Sequence, residues 1–208
     1  MRSPGRRLRR IAAVAILLGL VGFGAAACGG GSDGGASNAG ALVDALPGDG
    51  ELGAGWVRIS EPRVGDGAEA STICGVQLNV GMIDGAKIDL ANDREDFVST
   101  FFRRYTDAET ARQAFGAATE KIASCPSNGV ESDAAATVST IPAPEAGDAA
   151  YGAVFNLSAT DSRLAEEFGW TLVRTDDVIR SLQYFPTESR ATTGGDLRAL
   201  AEAVATTE

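Results

Sequence analysis

Apolar residues along the chain fall into one unbroken block, two stripes at helical period and a series of short strand-like runs. The block runs from Ile11 to Ala27, with IAAVAILLGLVGF at its centre and no charge in it, and MRSPGRRLRR with five arginines precedes it. Its 17 residues, several only Ala or Gly, fall short of the roughly 20 strongly apolar residues a membrane-crossing helix prefers. A basic flank, a short apolar core and small residues at its end predict an export signal over 1–27, with an uncleaved anchor as the alternative.

The first helical stripe is Ala111, Phe115, Ala118 and Ile122, and Cys125 continues it. Steps of four, three, four and three put all five on one face. Thr106 with Glu109 three residues later predicts a capping box at its start, and Pro126 ends it, so the helix covers DAETARQAFGAATEKIASC. The second stripe is Leu197, Leu200, Ala201 and Val204 in GDLRALAEAV, 195–204. ALVDALP, 41–47, predicts a short helix ended by Pro47 and GDGELGAG.

The strand-like runs are WVRIS (56–60), EDFVSTFFRRY (95–105), TVSTI (137–141), AAYGAVFNLSA (149–159), GWTLVRT (169–175) and VIRSLQYF (178–185). Asp176 and Asp177 between the last two predict a hairpin. STICGVQLNV, 71–80, is ambiguous between helix and strand. The residues from about Gly40 to Glu208 are ordinary for one core, and SNGVESDAA, 127–135, reads as a surface loop rather than a boundary. The expected fold is a single α+β domain, a mostly antiparallel β-sheet with helices packed on one face.

Cysteines sharpen the N-terminal reading. AAAC at 25–28 fits an ordinary A-x-A cleavage site and also resembles the bacterial lipobox, in which the peptidase cuts before a cysteine linked to diacylglycerol; Ala25 stands where that motif usually has Leu. Arg6 and Arg7 also suit a twin-arginine signal in part. The chain has three cysteines, Cys28, Cys74 and Cys125, and an exported protein with an odd count leaves one thiol over. Lipidation of Cys28 would consume it, leaving Cys74 and Cys125 as the one pair able to close a disulfide in an oxidising compartment. GGGSDGGASNAG behind Cys28 then reads as a tether over 28–39, with the domain at 40–208.

The full chain carries 18 basic and 28 acidic residues. Without the five signal arginines the balance is 13 against 28, a net charge of −15. Such a domain repels phosphate backbones and anionic headgroups, so nucleic acid is excluded as an expected partner, and attachment to the cell membrane must come from the lipid.

The AAAC motif, ALVDALP, LGAGW, CGVQL, FVSTFFRRYTDAETARQAFGAATEKIASC and VRTDDVIRSLQYF together resemble actinobacterial lipoproteins with a PknH-like extracellular sensor domain, over roughly residues 40 to 205. The resemblance implies an extracytoplasmic, lipid-anchored domain that binds a small envelope ligand or a partner protein. The kinase sensor has two disulfides where this sequence can make one. No kinase motif is present.

Catalytic chemistry has few carriers here. Histidine is absent, which removes Ser-His-Asp and Cys-His relays and imidazole metal ligands. Lys121 and Ser124 lie one helical turn apart, but Lys121 is off the apolar stripe and reads as a solvated residue near a helix C-terminus. DLANDRED (89–96) gathers Asp89, Asn92, Asp93, Glu95 and Asp96, yet its spacing does not match a calcium loop, and it reads as a solvated turn before a strand. Trp56 and Trp170 each follow a glycine and read as core. No catalytic residue, metal ligand or cofactor is therefore assigned. The expected function is non-catalytic binding, and the alternative is a carboxylate-dependent hydrolase acting on cell-envelope glycans.

Overall fold

The computed structural model describes residues 39–65, 73–126, 135–158, 165–187 and 193–206. The predicted export signal, Cys28 and the tether through residue 38 lie outside these residues. Chain order is α1 (Ala39–Asp44), β1 (Val57–Arg58), β2 (Arg63–Val64), a single 3-10 turn (Ile73–Gly75), β3 (Met82–Ala91), β4 (Phe97–Tyr105), α2 (Ala108–Ala123), β5 (Ala135–Thr140), β6 (Ala149–Ser158), β7 (Ala165–Thr175), β8 (Val178–Phe185) and α3 (Thr193–Thr206). Among the described residues, eight strands form one sheet in the order β1-β3-β4-β8-β7-β6-β5, with β2 also paired to β3, and every pairing is antiparallel.

Asp176 and Asp177 do form the two-residue connection of a hairpin, with Thr175 opposite Val178 and Asp176 at a positive φ of 50°. Its register is unbroken, as it is in the β6–β7 and β4–β8 pairs. One long strand escapes the sequence pattern. β3 carries Ala86, Ile88 and Leu90 on one face and Gly85, Lys87 and Asp89 on the other. Alternation is there, but Gly and Asp are depleted in strands and mask it.

The α+β, antiparallel, single-domain architecture stands, with one correction: the helices occupy both faces of the sheet. Successive residues of a strand point to opposite faces. On β7, a Cβ placed on Gly169 would collide with Leu197 of α3, whereas Trp170 is buried in a cluster with Ala111, Ala118 and Ile122 of α2. α1 joins α3 over Ile88, Val98, Phe102 and Leu182. The reason lies in the central strands, which bear large buried residues on both sides, such as Phe102 and Tyr105 on β4. A sheet so built needs cover on each face.

The start of α2 also departs from expectation. Asp107, not Thr106, is the N-cap: its backbone is extended, and its Oδ1 accepts from the Thr110 amide at 2.7 Å. Glu109 turns to Arg112 and Gln113 instead of reaching back. Ala111, Ala118 and Ile122 are buried as the stripe predicts, while Cys125 sits just past the helix end, half-buried. The second stripe, Leu197, Leu200, Ala201 and Val204 of α3, is buried in full. Trp56 and Trp170 are both core residues.

Candidate functional site

Cys74 and Cys125 come together at the C-terminal end of α2. Their Cα atoms are 5.1 Å apart and their sulfurs lie at disulfide distance, joining positions 51 residues apart. Cys74 occupies the left-handed region at φ 56° within the 3-10 turn. Lys121 helps to hold that turn, because its Nζ donates to the Gly75 carbonyl at 2.6 Å. Ser124 donates its hydroxyl to the Glu120 carbonyl, so Lys121 and Ser124 serve separate backbone contacts and form no Ser-Lys pair.

The acidic cluster at 89–96 comes apart in the fold. Asp89 belongs to β3 and is buried, accepting from Ser99 Oγ at 2.5 Å and Arg63 Nη2 at 2.8 Å, with Lys87 Nζ at 3.6 Å. Asp96 is fully buried and accepts from Tyr184 Oη at 3.3 Å, the Thr187 amide at 3.1 Å and Asn92 Nδ2 at 3.1 Å. Tyr184 belongs to the core under α1 and α3, and Ser99 alternates with Val98 to face the other way. The two buried carboxylates are therefore on opposite faces of the sheet. Among the described residues no group of three Cys, Asp or Glu side chains converges on a metal position.

A different constellation occupies the sheet face shared with α2. Lys87, Phe101, Ser181, Leu172 and Tyr151 are successive cross-strand partners over β3, β4, β8, β7 and β6. Beside them run Asp89, Ser99, Gln183, Trp170 and Ala153, and beyond these lies an aromatic row. In that row Phe97, Phe185, Phe168 and Phe155 stand with successive ring centroids 5.7, 5.6 and 4.6 Å apart. Arg103 and Lys87 both lie over the Phe101 ring, at 4.8 and 4.7 Å from its centroid.

Arg103 is the unusual member. Its residue surface is 5% exposed, and its Nη1 donates to Ser181 Oγ at 2.8 Å. Burial lowers its pKa to about 10, and the same loss of solvent, opposed by the nearby Arg103 charge, raises the Tyr105 hydroxyl to about 12. Removing an unpaired charge from water costs several kcal/mol, and among the described residues Arg103 meets cation–π contact with Phe101 and one hydroxyl. No motif marks this residue in the sequence. The signal was present: in FVSTFFRRY the period of two puts Arg103 with Phe101 and Tyr105, and Arg104 with Phe102.

A separate shallow groove of about 290 Å³ lies between residues 77–81 and α2, lined by Gln77, Val80, Thr110, Ala114, Ala117 and Lys121. Val80 beside it is 64% exposed.

No protein-family model matches the chain, and no curated protein matches it significantly. Among solved structures, the extracellular domain of PknH from Mycobacterium tuberculosis matches with a TM-score of 0.57 at 12% identity, over 81% of this chain and 96% of that one. A Rv0999 ortholog from Mycobacterium smegmatis gives a TM-score of 0.44 at 10% identity, over 76% and 96%. The chain thus has the fold of the PknH extracellular domain, as the sequence resemblance implied.

Proposed function

We propose that this protein is a lipid-anchored extracytoplasmic binding domain of the sensor type, held at the cell membrane by diacylglycerol on Cys28 and carrying its ligand on the sheet face it shares with α2. The single observation that carries the reading is the fold held in common with an extracellular domain. The absence of histidine supports a non-catalytic role, and the buried carboxylates Asp89 and Asp96, on opposite faces, lend no support to a two-carboxylate hydrolase. Lipid on Cys28 and a Cys74–Cys125 disulfide would together account for all three cysteines. The small envelope ligand or protein partner would be received among the mostly buried side chains of that face, where Phe101 and Trp170 adjoin Ser181, Gln183 and Arg103. Fractionation of wild type and Cys28→Ser tests the anchor: wild type is expected in the membrane with a diacylglyceryl mass on its N-terminal peptide, and Cys28→Ser in the soluble fraction. A Cys28→Ser chain that stays in the membrane after its signal is cleaved would contradict the lipid anchor.

A further inference from the structure

We infer that Arg103 is the anchor for an anionic group of the ligand, a carboxylate, sulfate or phosphate oxyanion received on the sheet face beside Phe101 and Ser181. The inference rests on the binding role proposed above and names the chemistry of what is bound.

Arginines elsewhere among the described residues are compensated. Six of the nine described arginines have a carboxylate partner; Arg63 with Asp89 and Arg174 with Asp148 are examples. Arg58 and Arg180 instead donate to carbonyls at or just past the C-terminal ends of α1 and α3, where the helix dipole is negative. Arg103 has neither. Among the described residues its partners are one hydroxyl and one aromatic ring. This is the more telling in a chain with 28 acidic residues, where carboxylates are plentiful.

Asp89, the buried acid on the same face, does not supply the missing charge, because Arg63, Lys87 and Ser99 already hold it. A guanidinium has five N–H donors in a planar fork that fits two oxygens of an oxyanion at once, and Ser181 takes one of them. The lowered pKa of Arg103, caused first by burial, is consistent with a cation that has no carboxylate partner among the described residues. Phe101 fixes the guanidinium from one side, which pre-orders the fork and reduces the ordering cost of binding.

The test uses the full chain and three probes: inorganic phosphate, dihexanoyl phosphatidic acid, and uncharged dihexanoylglycerol. At about a hundredfold excess over its dissociation constant, an anion bound at Arg103 raises the melting temperature of wild type by about 5 °C or more, and dihexanoylglycerol does not. Arg103→Met abolishes the shift. A response to phosphate assigns a free anion, and a response to phosphatidic acid alone assigns a lipid headgroup; either supports the inference. A shift that survives in Arg103→Met, or no shift with either anion, overturns it. Should Arg103→Met fail to fold, the Arg103 Nε–H resonance of wild type decides: displacement by the anions supports the inference, and invariance overturns it. A neutral molecule retained by wild type in native mass spectrometry, with no anion response, overturns the inference but leaves the binding role standing. No retained molecule and no response overturn both.

Discussion

Gly169→Ala tests the two-faced arrangement of helices that the sequence did not predict. A methyl group at this position of β7 would collide with Leu197 Cδ2 and lie 3.0 and 3.1 Å from its Cδ1 and Cγ. Leu197 is fully buried among Val154, Leu182 and Leu200, so it has little room to turn aside. Overpacking of this kind costs about 1–3 kcal/mol, against a gain of about 0.5–1 kcal/mol for replacing Gly inside a strand. The net expectation is a loss of about 1–2 kcal/mol, read from urea unfolding as a lower midpoint at constant slope. Leu197→Ala alone should lose about 2–5 kcal/mol by leaving a cavity. The double variant should lose less than the sum by about 1 kcal/mol or more, since each change makes room for the other. Strict additivity would mean that α3 does not rest on Gly169, and the assignment of α3 to that face would be wrong.

Two further outcomes follow from the geometry around α2. Closing a loop between positions 51 residues apart stabilises by about 4 kcal/mol on the chain-entropy estimate, so the Cys74→Ser, Cys125→Ser double variant should lose roughly that much in unfolding without reductant. Equal stability of the two proteins would argue against a bond. Asp107 has its pKa lowered, first by the backbone hydrogen bond from Thr110, so its contribution is present above the unfolded value of about 3.9 and lost as pH falls through the folded value. Asp107→Ala should therefore melt below wild type at pH 7 and converge with it in acid, and a gap unchanged at low pH would contradict the cap.

How much could be read from the sequence depended on whether a residue's role is local. The apolar faces of α2 and α3, the Asp176-Asp177 hairpin and the burial of both tryptophans all follow from spacing within one segment, and each is present. Thr106 and Asp107 compete for one cap, and propensity alone does not choose between adjacent capping residues. β3 was hidden because Gly85, Lys87 and Asp89 on one of its faces look like loop, although Ser99 and Arg63 on neighbouring strands and Lys87 on β3 itself hold Asp89. The division of helices between faces depends on long-range packing that no window of residues contains. Arg103 is harder to read for a related reason: that its partners among the described residues are a hydroxyl and a ring follows from packing between strands far apart in sequence.

The central claim, that this domain binds something at the membrane, is tested most directly by native mass spectrometry of the chain purified from membranes of its own host. The account predicts the chain mass with a diacylglyceryl group, plus a small molecule released on gentle activation and absent from Arg103→Met. A wild-type chain that never carries a further mass would contradict it.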